Sequence, residues 1–337
     1  EFSLGFGPKL ISKKFKGTEY CIRVIPLGGF VKILGDGDPG DYGEEKLKGS
    51  KENLKNKSKF KQIFVMLAGV TMNILFAVIF YYIFLGINSW KTSPIYIEMS
   101  ESDVVGVKLE KLVGYEAISE GNADKAGLPK YGFFKKIDGV QISDRKEISE
   151  LIKGKEILSV LACDDKEEEC KEYIIPVTED KIGVYVSNGF VYNYEDFKLW
   201  AGFSYVFNNI KLVSKVLGSM INTAQESGDY SDLSNTVSGP VGIFLLIDNL
   251  KYKGVVVFLS MVADLSLSLA IMNILPIPAL DGGRVLILFL EGILRRDLDD
   301  RIEAIIINTS MIFLIVLVIA LMVKDIVNID DMRNMLG

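Results

Sequence analysis

Hydrophobic positions are distributed unevenly along this chain. From Ile63 to Ile87 there are 25 residues without a formal charge. From Gly254 to Leu280 there are 27 with one charge, Asp264, and from Ala304 to Val323 there are 20 with none. A bilayer core of about 30 Å needs about 20 helical residues. The pattern therefore predicts three membrane-spanning segments. Lys46, Lys48, Lys51, Lys55, Lys57, Lys59 and Lys61 crowd the entry to the first run, whereas only Lys91 follows its exit. Lysine and arginine stay on the cytoplasmic side, so the N-terminal segment is expected inside and the region after Trp90 outside. The second run then returns towards Arg284, Arg295, Arg296 and Arg301, and the third carries the chain out again.

The segments between these runs read differently. Glu19 to Leu34 is rich in β-branched and aromatic residues around Gly28 and Gly29, which predicts a β-hairpin or looped sheet. It is apolar enough to lie against a membrane or another strand. Residues 98–186 are polar with short strand-like runs at Val104–Leu112, Phe133–Ile137, Ile157–Cys163 and Tyr173–Val177. The NADKAGL stretch opens a short helix with Asn122 as candidate N-cap. Residues 195–222 place Phe197, Trp200, Tyr205, Ile210, Val213 and Leu217 near helical spacing. Either an interfacial amphipathic helix or a helix packed on the β domain fits them. The expected divisions are 1–59 (hairpin region), 60–90 (transmembrane helix), 98–186 (β domain), 195–250 (amphipathic helices and loop), 254–294 (discontinuous transmembrane helix) and 302–326 (C-terminal transmembrane helix).

Composition narrows the chemistry. The 337 residues are 49% hydrophobic, with 38 basic and 44 acidic side chains and a net charge of −6, which argues against a nucleic-acid partner. Three cysteines exclude a disulfide scaffold and a four-cysteine zinc site. The histidine count is zero, which removes any histidine triad and any histidine metal ligand from these residues.

The second apolar run ends as no ordinary span does. It reads Asn273-Ile-Leu-Pro276-Ile-Pro278-Ala-Leu-Asp281-Gly282-Gly283-Arg284, and apolar residues resume at Val285. Alternate prolines break the helical ladder and the glycines allow sharp bends. Irregular backbone at membrane depth must be buried in protein or line a wet cavity. A carboxylate there needs a partner. Asp281 is thus a candidate metal ligand, with Asn273 a candidate hydrogen-bond donor to the same cavity. The competing reading is that Asp281 caps the next helix segment. Asp264, about 26 Å away along a straight helix at ~1.5 Å per residue, is too distant to share a metal and needs a polar partner of its own.

The Asn273-x-x-Pro276-x-Pro278-x-x-Asp281-Gly282-Gly283 pattern resembles the second zinc motif of the site-2 proteases, membrane-embedded zinc metalloproteases. EFSLGFGPKL at 1–10 resembles the stretch after that family's His-Glu-x-x-His helix. IPLGGFVKILGDGD at 25–38 resembles its membrane-associated hairpin. AGVTMN at 68–73 is similar to its small-residue helix motif, with Val70 where many members carry proline. SGPVGI at 238–243 resembles the segment before its third core helix. The region 98–186 is similar to a PDZ-like domain, departing at Gly132-Phe133 where Gly-Asp is usual.

The resemblance implies a multi-pass α-helical protein of the cell (inner or plasma) membrane. It would carry an inserted extracytoplasmic PDZ-like β domain and a cytoplasmic-side membrane-associated β-hairpin. It implies a zinc cofactor with Asp281 as one ligand, and lipid and transmembrane-protein partners. Gly28, Gly29, Phe30 and Val31 would bind substrate by strand addition, aided by Asn273 and Pro276. The two histidine ligands and the general-base glutamate are absent from the chain, and the helix carrying them is expected upstream of Glu1. On that reading the chain from Glu1 onward is inactive alone. A non-catalytic PDZ-containing membrane adaptor is the alternative; a transporter would require an inverted repeat that the sequence lacks. Finally, Cys163 and Cys170 flank the acidic tract 164–169 between two strand-like runs. A hairpin there places them near opposite positions, in a compartment that permits a disulfide; two free thiols are the other possibility.

Overall fold

The structure is a computed structural model that describes residues 1–33, 53–96, 99–163, 170–231, 236–251 and 254–336. Several sequence expectations fall outside these residues: residues 34–38 of the 25–38 motif, Lys46, Lys48 and Lys51, the acidic tract 164–169, and residues 232–235 of the polar loop. Three helices are long and apolar enough to cross a membrane: Lys59–Ile87, Val255–Ile274 and Arg301–Val327. The chain forms two compact units. One comprises residues 1–75, 238–246 and 266–337, the other 76–237 and 247–265.

The first unit opens with a two-stranded ribbon, β1 (Phe2–Phe15) and β2 (Thr18–Val31). Phe15 pairs with Thr18 across Lys16 and Gly17, both at positive φ (47° and 83°). A two-residue turn of this hand matches the twist of the strands it joins. The hairpin thus starts well before Glu19, because the EFSLGFGPKL segment is itself a strand. Residues 2–4 pair with 20–22 and also with 29–31, so β2 wraps β1 on both sides. Gly29 permits this: a Cβ there would lie 2.5 Å from the Ser3 carbonyl oxygen. Helix α1 (Lys59–Ile87) starts in this unit. Its Lys59 pairs with Glu291 at 2.5 Å and Asp297 at 2.9 Å, and Lys55 just before it pairs with Glu303 at 3.1 Å. Lysines read as a topology signal are therefore also the counter-ions of acids flanking the later apolar helices.

The second unit holds a six-stranded antiparallel sheet. Its strands are β3 (Lys108–Ala117), β4 (Tyr131–Ile137), β5 (Val140–Gln141), β6 (Ile157–Cys163), β7 (Cys170–Pro176) and β8 (Val184–Asn193), in the order β7-β6-β4-β3-β8 with β5 beside β4. Short helices α2 (Asn122–Lys125) and α3 (Arg145–Ile152) pack against it. The core joins Val113, Phe134, Ile137, Leu158, Val160 and Ile175, each at most 1% exposed, with Ile148 and Ile152 of α3. Each such side chain contributes ~1.5–3 kcal/mol by leaving water.

Several boundaries differ from the sequence reading, among them the end of β3, at Ala117 and not Leu112, and the start of β4, at Tyr131 and not Phe133. The run Val104–Leu112 does not start a strand at Val104. The Val105 N–H donates to Asn208 Oδ1 at 2.9 Å, its carbonyl accepts from the Ser204 hydroxyl, and Gly106 turns the chain at φ 63°. Those β-branched residues are tied to a helix instead. Gly121, not Asn122, occupies the N-cap of α2, and the Asn122 amide donates to Thr178 Oγ1 at 3.0 Å. β7 begins at Cys170 rather than Tyr173, because Cys170 sits opposite Cys163 and is disulfide-bonded to it. β8 runs past residue 186 to Asn193, pairing with β3 along its length. At Gly132-Phe133 the backbone is pinched: a Cβ on Gly132 would lie 2.3 Å from the Cys163 carbonyl oxygen.

After β8, a 3-10 turn at Glu195–Trp200 leads into α4 (Ala201–Ser227), because Phe197 is non-helical at φ −126°. Next come α5 (Pro240–Leu250), α6 (Val255–Ile274), α7 (Asp281–Leu294), α8 (Asp300–Val327) and the short α9 (Ile329–Leu336).

The turn between β4 and β5 gives a pH prediction. Asp138 accepts the Ser159 N–H at 2.8 Å and pairs with Lys155. The Lys155 ammonium, followed by that backbone donor, holds its carboxyl below its ordinary 3.8. A depressed folded value means the stabilisation is present above about pH 4 and is lost as pH falls below it. Asp138→Asn should lower the melting temperature of the β domain at pH 7 and flatten its decline from pH 5 to 3. Near-UV circular dichroism melts at both pH values check this; parallel curves for the two proteins would contradict it.

Candidate functional site

The break between α6 and α7 is built from local backbone bonds. The Leu275 N–H donates to Met272 O at 3.2 Å, Ile277 to Leu275 O at 2.8 Å and Leu280 to Ile277 O at 2.8 Å. Pro276 and Pro278 bring no N–H that would need a partner. Three of the four donors between α6 and α7, those of Leu275, Ile277 and Leu280, are thus satisfied by local carbonyls without water. Helix α7 then starts hard against the break. A Cβ on Gly282 would lie 2.3 Å from Ile274 O, and one on Gly283 2.1 Å from Ile277 O. Only glycine allows that approach.

This packing fixes where Asp281 points. Leu280 is the N-cap of α7 and no side-chain cap bond forms, so Asp281 is the first helical residue and not a cap. The capping reading is thereby overturned. A carboxylate in the first turn is favoured by the helix dipole. Among the described residues no side chain or backbone group hydrogen-bonds to the Asp281 carboxylate. Across from it lies Gly69 of the AGVTMN stretch on α1, whose Cβ would stand 3.8 Å from Asp281 Oδ2. The structure therefore brings together two motifs more than 200 residues apart in sequence, and the small residue leaves space beside the carboxylate.

The other candidates are distributed. Asn273 lies in the last turn of α6 and Pro276 is exposed in the break. Among the described residues, no hydrogen bond joins Asn273 to Asp281. Gly28, Gly29, Phe30 and Val31 form the end of β2, and the Phe30 ring lies 5.2 Å from the Arg23 guanidinium. The metal-capable trio that does come together is Glu1, Glu19 and Cys21, which no motif in the sequence marks. Lys9 pairs with Glu1 at 3.1 Å and Glu19 at 3.0 Å, and Arg23 with Glu1 at 2.5 Å. Two cations already balance its acids, so it is an ion-pair network of the ribbon.

Asp264 of α6 gains the partner its position demands. It accepts a hydrogen bond from the Tyr81 hydroxyl of α1 and from Asn209 Nδ2 of α4 at 3.2 Å; Asn209 also donates to the Tyr81 oxygen at 2.9 Å. The Tyr81 ring packs edge-on to Tyr205 at 4.5 Å. This node ties three helices and is separate from the break. Tyr81 and Asn209 escaped sequence reading because nothing local marks them.

Comparison with known proteins covers the whole of this framework. The profile of Peptidase family M50 matches residues 1–317. A Clostridium perfringens protein named "Putative zinc metalloprotease CPE1693" is 30% identical over 97% of this chain and 89% of its own length. A Clostridium acetobutylicum protein of the same description is 29% identical over 97% and 88%. "Membrane metalloprotease ARASP, chloroplastic" of Arabidopsis thaliana is 27% identical over 100% of this chain and 74% of its own. The motif resemblance and the full-length match agree: this chain belongs to peptidase family M50, the site-2 protease group of membrane zinc metalloproteases.

Proposed function

We propose that this chain is the larger part of an intramembrane zinc endopeptidase that cleaves single-span membrane proteins or signal-peptide remnants, with Asp281 as one metal ligand. The observation that carries the reading is the Asp281 carboxylate, held without a hydrogen bond among the described residues at a glycine-lined helix break facing Gly69. A catalytic zinc takes three protein ligands and a water. The present chain offers one donor there and contains no histidine. These residues alone do not make a zinc site, and no chemical step is derived through the metal. The remaining ligands and the general base would come from a His-Glu-x-x-His helix outside these residues.

In this proposal the end of β2, Gly28–Val31, pairs with an extended substrate backbone, whose polar groups have no water to bond inside the membrane. Asn273 and Pro276 border the site at the break. The sheet domain, PDZ-like and extracytoplasmic, limits what reaches it. A second reading, a non-catalytic membrane adaptor, is favoured only by the missing histidines.

Zinc content separates the two. Purified protein should hold no stoichiometric zinc as this chain. It should hold about one zinc per molecule when extended at its N-terminus by a His-Glu-x-x-His helix from the parent gene. Asp281→Asn in the longer form should remove that zinc while leaving the melting temperature near wild type. Absence of zinc from both forms would favour the adaptor.

A further inference from the structure

The sheet of the second unit has two faces, and α2 and α3 cover one of them. Val113, Phe134 and Ala162 belong to the core beneath those helices, whereas their neighbours Leu112, Phe133 and Cys163 form a separate buried cluster with Val191. Successive residues of a strand point to opposite faces, so this second cluster lies on the side away from α3. A cleft of about 620 Å³ opens over it, with Leu112, Phe133 and Val191 among its lining. That volume lies in the range that takes up ligands.

The rim of the cleft is cationic although the chain is net acidic. Lys108 of β3 and Lys135 and Lys136 of β4 line it on this face, whereas Lys111, which alternates with Leu112 and pairs with Phe190, projects to the α3 side. These three are exposed, and none forms an ion pair among the described residues. The one acid, Glu110, is already engaged: it pairs with Lys91 at 2.9 Å and accepts from Asn193 Nδ2 at 2.6 Å. A bulge in the β4–β6 pairing explains the adjacent lysines. Phe134 pairs with Ala162 and Lys136 with Leu161, leaving Lys135 as the extra residue that turns the strand. Near the cleft the outer edge of β8 is occupied at Phe190 and Tyr192: Thr92 N–H donates to Tyr192 O at 3.1 Å, and Ile95 exchanges two 2.9 Å bonds with Phe190. A ligand arriving at the cleft therefore meets side chains on the sheet face and not a vacant ladder at this end of β8.

We infer that this cleft binds an acidic polypeptide segment of a partner protein, with a bulky apolar side chain seated over Leu112, Phe133 and Val191 and carboxylates set against Lys108, Lys135 and Lys136. Charge complementarity selects the class of ligand. The spread of cations over two strands around an apolar floor favours a chain bearing several separated acids. A single anionic lipid headgroup would leave most of them unmatched. This inference does not depend on the metal reading.

The test uses the full chain in uncharged detergent and a fluorescent ten-residue peptide of glutamates flanking two central leucines. Saturable binding should weaken as salt is raised. The double variant Lys108→Glu with Lys135→Glu should weaken it roughly tenfold or more. The control Lys125→Glu with Lys153→Glu, on α2 and just after α3, should leave it unchanged. Replacing the peptide leucines by glycine should also cost about tenfold. Melts of each variant establish that it is folded. Equal affinity for a glutamine version of the peptide, or equal loss in the control variant, would overturn the proposal. So would binding to phosphatidylglycerol vesicles that needs the same lysines and that the peptide does not compete.

Discussion

Gly283→Ala should be among the most damaging single-methyl changes in this protein. The added Cβ would sit 2.1 Å from Ile277 O, 2.2 Å from its carbonyl carbon and 2.5 Å from Pro278 N. All three are backbone atoms, and two flank or belong to a proline whose φ is fixed. Overpacking against side chains costs ~1–3 kcal/mol because they can rotate away. Here the whole start of α7 must move, so a loss above about 3 kcal/mol is expected. It would displace Asp281, two residues away, with any ligand geometry built on it. Gly292→Ala on the same helix is the internal control. Nothing lies within 4 Å of a Cβ there, and alanine should stabilise the helix by up to about 1 kcal/mol. Thermal unfolding of the detergent-solubilised variants reads both. A Gly283→Ala protein that melts with wild type would mean the break is far looser than described.

Asp325→Ala is expected to have the next largest effect. Asp325 sits near the end of α8, fully buried, and its Oδ2 accepts the Gly242 N–H at 2.8 Å. It therefore supplies, from more than 80 residues away, the anionic partner that the first turn of α5 lacks. The SGPVGI sequence is shaped around it: a Cβ on Gly239 would lie 2.9 Å, and one on Gly242 3.2 Å, from Oδ2. Hydrogen bonds to charged groups contribute ~1.5–3 kcal/mol, and a carboxylate at a helix N-terminus adds to that. Removing it also strands a buried N–H. Asp325→Ala should cost about 2–3 kcal/mol, whereas Asp325→Asn, which keeps the acceptor oxygen, should cost less than about 1 kcal/mol. Equal melting temperatures for the alanine and asparagine variants would refute this account.

The two glycine-rich motifs differ in how far they could be read in advance. Pro276, Pro278, Gly282 and Gly283 announce a helix break by composition alone, because two residue types lack a donor or a Cβ. Their consequence, Asp281 set against Gly69, is a matter of packing. SGPVGI reads as a turn entering an apolar stretch, and nothing near it in sequence points to Asp325. The run at Val104 shows the opposite failure. Its β-branched residues favour a strand, but Asn208 and Ser204 of α4 claim the Val105 backbone, and β3 starts four residues later.

From the sequence alone come the three apolar runs, the broken helix and its carboxylate, the strands at Phe133–Ile137 and Ile157–Cys163, and the family. Each is a local property: chain length without charge, a missing N–H, a period of two. Tertiary structure alone decided that Tyr81 and Asn209 serve Asp264, that Asp325 serves α5, that β2 wraps β1, and that Lys108, Lys135 and Lys136 share one cleft. Those pairings join residues up to 183 positions apart. A local pattern records which solvent a segment prefers; which buried polar group it meets depends on how the segments pack.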